Sequence, residues 1–261
     1  MNFENKVVII TGAGKGIGKV TAQQFAGLGA SVVLGARTTD EVELAAREIN
    51  DSGGAALGLT VDIASAESIQ RLVDRVIADY GRIDILVNNA ATAGPIGKTV
   101  TKLVDMDVSD WDLVYSVNSR GTMLMSKACI PHISAGGSII NLSSTAGRSG
   151  MSGRTHYCSS KASLIGFTKA LAHELGPEEI RVNCVVPGST RTELLDKLFH
   201  RMAAEAEVDV ETIIKRQSAN SPQKRIAGPE EVAQVIVFLA SDAASAMNGQ
   251  SLDPNAGSFM L

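Results

Sequence analysis

The chain predicts an α/β fold: a doubly wound parallel sheet of about seven strands with helices on both faces, in one domain spanning residues 1–261. Short apolar runs alternate with longer helical patterns along its whole length. The first two runs carry Val and Ile on consecutive positions, as strands covered on both faces require. Aromatic residues make up only 4%, whereas Ala, Val, Ile, Leu and 25 Gly are plentiful, a composition suited to helices packed closely on a sheet.

The strand-like runs are "KVVIITG" (6–12), "ASVVLGA" (30–36), "AALGL" (55–59), "IDILVNN" (83–89), "GSIINLSS" (137–144) and "IRVNCVV" (180–186), with a short candidate at "GQSLDP" (249–254). Helical patterns occupy 17–28, 39–52, 66–80, 110–133, 157–176, 191–217 and 229–241. Strand–helix–strand alternation with short links pairs the strands in parallel through right-handed crossovers. No linker, low-complexity tract or internal repeat interrupts the series.

The formal net charge is -4 and no basic run stands out, which gives nucleic acid or an anionic membrane surface no footprint. The N-terminus enters a hydrophobic strand without the basic and apolar segments of a signal peptide. No apolar run approaches the ~20 residues that span a bilayer. Cys129, Cys158 and Cys184 are odd in number and lack metal-ligand spacing, as reduced thiols in a cytosol would be. The expectation is a cytoplasmic protein without a metal.

Ligands of such a sheet sit beyond the carboxyl ends of the strands. After the first strand, "TGAGKGIGKV" (11–20) places Gly12, Gly14, Gly16 and Gly18 between a buried strand and a helix start. Glycine there permits a tight turn and lets a pyrophosphate approach main-chain N–H groups at the positive end of a helix. The spacing reads TGxxxGxG and not the GxGxxG of the standard dinucleotide fingerprint. A ligand-free glycine turn is the plainer alternative.

The second strand ends "LGART", without the acidic residue that commonly binds the adenosine ribose of NAD. Asp40 and Glu41 read instead as first-turn residues of the next helix, capped by Thr38 or Thr39. Arg37 could fork onto a 2′-phosphate and Lys15 could add a second positive charge. Together they favour NADP(H), with NAD(H) possible; two solvated cations are the alternative. Asp62, after the third strand, could accept from an adenine amino group beside Ile63, or could cap the helix beginning near Ser65. The fourth strand ends "VNNAA", where Asn88 and Asn89 can satisfy loop backbone groups and Ala90 and Ala91 leave room for a nicotinamide ribose.

TGxxxGxG at 11–18, NNA at 88–90, Asn118 in a helix, Ser144, YxxxK at 157–161 and "PG" at 187–188 follow in that order. A lone YxxxK arises often by chance. The ordered set, with Ser144 thirteen residues before Tyr157, resembles the short-chain dehydrogenase/reductase family over nearly the whole chain. The resemblance implies a Rossmann fold and hydride transfer between NADP(H) and a secondary alcohol or ketone. It makes Tyr157 the general acid/base. A free phenol, with a pKa of ~10, is a poor base at neutral pH, and the charge of Lys161 one helical turn on would lower it. In the family this lysine also binds the nicotinamide ribose. Ser144 would hold the reacting oxygen. Asn118 would hold a helix distortion and a water leading from the lysine; Asn is intrinsically unfavourable inside a helix, though a solvent-facing Asn is equally consistent.

By the same resemblance Ile17 joins the glycine loop against the cofactor. Pro187, Gly188, Thr190 and Thr192 lie in the loop covering the nicotinamide, and residues from about 190 to 225 form a helical substrate lid. The family usually assembles as tetramers or dimers through the helix bearing the tyrosine and its predecessor. Here Leu164, Phe167, Leu171 and Leu175 form a stripe on that helix that could face a partner copy or the core.

Ser143, Ser159 and Ser160 compete with Ser144, but the spacing to Tyr157 selects Ser144. Cys158 has no activating base and reads as a packed thiol. The histidines at 132, 156, 173 and 200 lack ligand spacing; His156 could touch substrate, or pack. Three departures from the family pattern are "NNAA", "DPNAG" (253–257) in place of Asp-Gly-Gly, and the elaborated loop "TAGPIGKTVTK" (92–102). Arg148, Ser149, Ser152, Arg154 and His156 flank the expected pocket and hint at a small polar, hydroxylated or anionic substrate, unless the arginines face solvent or a subunit. An NAD-dependent alcohol or sugar dehydrogenase, a non-catalytic nucleotide-binding protein, or an epimerase or dehalogenase on the same fold are the other readings.

Overall fold

A computed structural model describes residues 1–95 and 100–260. In chain order it builds β1 (Val7–Thr11), α1 (Gly16–Gly27), β2 (Ser31–Ala36), α2 (Thr39–Asp51), β3 (Ala55–Thr60), α3 (Ala66–Tyr80) and β4 (Ile83–Asn88). It continues with α4 (Val108–Tyr115), α5 (Thr122–Cys129), β5 (Ile133–Leu142), α6 (Ala146–Ser149), α7 (Thr155–Leu175) and β6 (Arg181–Val185). α8 (Glu193–Glu205), α9 (Val210–Ser218), α10 (Pro229–Ala240) and β7 (Ser251–Leu252) complete it.

The consecutive apolar residues of β1 explain the layering. Side chains alternate across a strand, so Val8 and Ile10 enter one core while Val7 and Ile9 enter the other. The first core joins them to Phe25 of α1, Val42 and Ile49 of α2, and Val232 and Ile236 of α10. The second collects Ile69 and Leu72 of α3, Met125 of α5 and Leu171 of α7. Helices thus cover both faces of one parallel sheet ordered β3-β2-β1-β4-β5-β6-β7. The chain runs outward from β1 to β3 and returns to β4 on β1's other side. The carboxyl ends of β1 and β4 flank that reversal, where a crevice opens.

Differences from the sequence expectation have local causes. The pattern at 110–133 is not one helix: a π-helical segment, Ser116–Gly121, separates α4 from α5. A 3-10 turn containing Pro131, which lacks a backbone N–H to donate, then leads into β5 at Ile133, four residues before the expected start. The extra length of β5 pairs with β4 through a register shift between Ile83 and Ile85, and Gly136 takes φ 82° within it. The pattern at 191–217 divides into α8 and α9, because Glu207 turns left-handed (φ 51°) and Asp209 caps α9 by accepting from Thr212 N at 2.7 Å. α6 is a short additional helix, and β7 is only two residues long. In the stripe on α7, Leu164, Leu171 and Leu175 are buried and Phe167 is partly so, all facing inward. Among the described residues no helix is long and apolar enough to cross a membrane.

Candidate active site

The crevice begins where β1 ends. Gly12 takes φ 66°, and a Cβ there would stand 2.8 Å from Ala90 Cα, so two loops touch backbone to backbone. Thr11 Oγ1 accepts from Asn89 N (3.1 Å) and Ala90 N (3.0 Å). Asn89 Nδ2 returns bonds to Thr11 O (2.8 Å) and Gly12 O (3.0 Å). Neither residue is left to face solvent alone: the loops after β1 and β4 form one frame. Ala91, where the family has Gly, has no positive φ and fits without strain. α1 starts at Gly16, also left-handed at φ 57°, with no side-chain cap on its first N–H groups; Gly18 is buried and Ile17 packs against the core.

A cleft of about 280 Å³ brings together Gly12, Gly14, Lys15, Arg37, Asp62, Ile63, Asn89 and Ala90 of the expected set. Its bare glycine floor and uncapped helix start fit a dinucleotide pyrophosphate. Asp62 accepts locally from Ala64 N at 3.0 Å, while Ser65 caps α3 by accepting from Ser68 N. Ile63 is buried against Gly121.

Two expectations at this end are corrected. Lys15 is not a free second cation, because its Nζ lies 2.8 Å from Glu41 Oε1. Thr38 occupies the N-cap position of α2 but makes no side-chain cap, and Thr39 spends its hydroxyl on Thr60 (2.7 Å). Glu41 stands in the first turn of α2, as read from the sequence, and also lines the cleft. Side chains of a helix tilt back toward its N-terminus, which is the signal that could have found it.

Ser144 follows β5, and Tyr157 lies in the first turns of α7. Burial holds the Tyr157 phenol above its ordinary pKa, against the lowering effects of the Ser144 hydroxyl and the Arg154 charge. Lys161 is 3% exposed and donates from Nζ to Leu142 O at 2.7 Å; burial lowers its pKa to about 8. The ammonium is thus committed to a carbonyl, and the phenol is raised where the sequence reading had the lysine depressing it. Close packing fixes the spacing of the group. A Cβ on Gly147 would come within 2.7 Å of Ala162 N, and Ser143 Oγ donates to Lys161 O at 2.7 Å.

Asn118 is fully buried in the π-helical segment. Its Oδ1 accepts from Thr92 N (2.8 Å), and its Nδ2 donates to Thr92 O (2.9 Å) and Ser160 Oγ (3.0 Å). A solvent-facing Asn118 is therefore excluded. Below it, Asn88 Nδ2 donates to Asn141 Oδ1 (2.9 Å) and Ser126 Oγ, and Asn141 Nδ2 donates to Thr168 Oγ1. Thr11, Thr92, Ser143 and Ser160 thus brace the cluster; sequence reasoning missed that role because each bond joins distant segments.

Pro187 O accepts from Thr145 N at 2.9 Å, and Gly188 lies against Asn255. Thr190 is buried, donating to Gly188 O, while the Thr192 methyl lies 3.4 Å from where a Gly16 Cβ would stand. α8 and α9 follow, packed around Phe199, Ala203 and Ile213. Within "DPNAG", Asp253 Oδ1 stands 3.2 Å from Arg148 Nε, both mostly buried. Arg148 therefore faces the C-terminal turn and not a substrate. Ser149 bonds Thr145 O, and Ser152 is exposed. His156 is 1% exposed, which removes it from the pocket surface. Residues 96–99 of the 92–102 loop lie outside the described residues. Among the described residues no group of His, Cys, Asp and Glu could hold a metal ion.

Comparison with known proteins agrees with this geometry. Residues 12–258 match the family described as enoyl-(acyl carrier protein) reductase. The chain is 38% identical to the 3-oxoacyl-[acyl-carrier-protein] reductase FabG of Thermotoga maritima, covering 98% of this chain and 99% of that one. It is 37% identical to cis-4-hydroxycyclohexanecarboxylate dehydrogenase of Sinomonas cyclohexanicum, covering 98% and 97%. A short-chain glucose/ribitol dehydrogenase structure from Brucella melitensis superposes over all of both chains with a TM-score of 0.87 and 30% identity. The chain is a member of the short-chain dehydrogenase/reductase family, an NAD(P)-dependent oxidoreductase.

Proposed function

We propose that this enzyme interconverts a secondary alcohol and its ketone with NADP(H), and that Tyr157 transfers the proton. The observation that carries the reading is the Ser144 hydroxyl acting on the buried Tyr157 phenol, with Lys161 buried one turn beyond it. A substrate oxygen seated between them meets two hydroxyls at once. When bound, the nicotinamide supplies or accepts the hydride at the substrate carbon. In reduction Tyr157 donates its proton to the ketone oxygen as that oxygen gains charge; in oxidation its phenolate takes the proton of the alcohol. Ser144 keeps the oxygen in place and stabilises the charge on it. Lys161 offers an ammonium that can leave Leu142 O for the ribose and phenol, and Asn118 anchors the bend beside it.

Arg37, with no acid at the end of β2, supports NADP(H) as the favoured cofactor. The glycine loop with Ile17 would hold the pyrophosphate, Asp62 and Ile63 the adenine, Asn89 and Ala90 the nicotinamide ribose, and Pro187, Gly188, Thr190 and Thr192 the nicotinamide. The substrate we favour is small and polar or hydroxylated. Arg154, whose charge lowers the Tyr157 pKa, leaves a cation near the reacting group once Arg148 is paired. Of the relatives named above, the dehydrogenase of a hydroxylated carboxylate fits that class, whereas the reductase of a 3-oxoacyl group on a carrier protein shares only the carbonyl chemistry. α8 and α9 act as the lid over this end of the crevice. Three free cysteines suit a cytoplasmic enzyme, and the family resemblance favours a homo-oligomer, a tetramer or dimer.

A spectrophotometric screen of hydroxy acids, polyols and 3-oxo compounds with both cofactors tests the activity. Turnover undiminished in Tyr157→Phe would overturn the mechanism.

A further inference from the structure

We propose that Glu41 governs how strongly the enzyme discriminates between phosphorylated and unphosphorylated cofactors, by competing with the 2′-phosphate for Lys15. The inference rests on the cleft being the dinucleotide site, and not on which cofactor prevails.

Glu41 lies flat along the glycine loop: its Cβ is 2.9 Å, and its Oε2 3.3 Å, from where a Gly14 Cβ would stand. Only a glycine at 14 leaves that space. The other carboxylate oxygen, Oε1, takes Lys15 Nζ at 2.8 Å. Arg37 opens onto the same cleft from the end of β2. Lys15, Arg37 and Glu41 therefore stand on one cleft, and Asp62, its fourth charged group, brings the formal charges into balance.

A phosphate arriving beside Arg37 must draw Lys15 away from the Glu41 carboxylate that already holds it. A ribose without phosphate meets no such cost, because a carboxylate accepts readily from hydroxyl groups. Glu41 thus tempers the preference that Arg37 creates and supplies an acid where β2 ends without one. The pair is partly exposed, so its effect is moderate: about three- to tenfold in relative affinity.

The test is titration of NADPH and NADH, followed by nucleotide fluorescence without substrate. The proteins are wild type, Glu41→Gln, Glu41→Thr, Lys15→Gln and the Lys15→Gln/Glu41→Gln double variant, with circular dichroism checking each fold. Both Glu41 variants should tighten NADPH relative to NADH about three- to tenfold. That gain should shrink to under twofold when Lys15 is absent. A ratio of dissociation constants unchanged within twofold in both Glu41 variants would overturn the proposal, as would a gain that persists without Lys15. Tighter NADH binding by the wild type would sink the NADP(H) reading alone, because Glu41 is judged by the shift in the ratio.

Discussion

Asn118 Nδ2 donates to Ser160 Oγ at 3.0 Å, tying the π-helical bend to the residue that precedes Lys161. The same carboxamide holds both backbone groups of Thr92, so one side chain joins three segments. Asn118→Ala leaves these buried partners unsatisfied and should cost about 1–3 kcal/mol in urea unfolding. It should also lower kcat more than it raises KM, because the bend sits behind the proton-transfer group. A variant with wild-type stability and kcat would show that the clamp matters to neither.

Removing the phenol oxygen isolates the proton step. Tyr157→Phe should reduce kcat about 10²–10⁴-fold while NADPH affinity stays within about twofold. Burial raises the Tyr157 pKa, so the protonated form needed for ketone reduction persists through neutral pH. Alcohol oxidation needs the phenolate and should accelerate as pH rises. Identical pH profiles in the two directions would contradict this assignment.

Lys161 gives a stability signature of its own. Burial lowers its folded-state pKa from 10.5 to about 8, so the unfolded chain binds more protons between those values. Stability attributable to Lys161 therefore rises with pH through that window and is least below pH 8. Against Lys161→Met, the wild type should gain about 1 kcal/mol between pH 7.5 and 9. The neighbouring Cys184 thiol, raised from 9.0 to about 11 by burial, stays neutral over that range. Parallel stability curves for the two proteins would refute the shifted lysine.

The Arg148–Asp253 pair predicts an asymmetry between single and double substitutions. Burial raises the Asp253 pKa, and the arginine opposes that rise. Arg148→Leu strands a buried carboxylate and should cost about 1–3 kcal/mol, whereas Arg148→Leu with Asp253→Leu should recover a large part of the loss. Chemical denaturation of both proteins measures it; additive losses would mean that the two side chains are uncoupled.

The strands and the helices flanking the first half of the sheet could be read from the sequence because their signal is local. Consecutive Val and Ile in β1 state that both faces are covered, and Thr11–Gly18 announces the turn that follows. The interruption at 116–121 could not be read that way. Asn118 prefers Thr92 and Ser160 to a solvent-facing place in a regular helix, and those partners lie 26 and 42 residues away. The same distance in sequence hid the Lys15–Glu41 and Arg148–Asp253 pairs. Each pair takes up a cation that, read from its own segment, pointed to a ligand.

The helical pair α8 and α9 has a small core of its own, in which Phe199, Ala203 and Ile213 pack with partly buried neighbours such as Met202 and Ile214. This makes it an exchangeable cassette. Substitutions confined to that cluster leave the two cores of the sheet untouched. If the pair is the substrate lid proposed above, grafting this one segment alters substrate preference while the proposed cofactor cradle and proton-transfer group stay as they are.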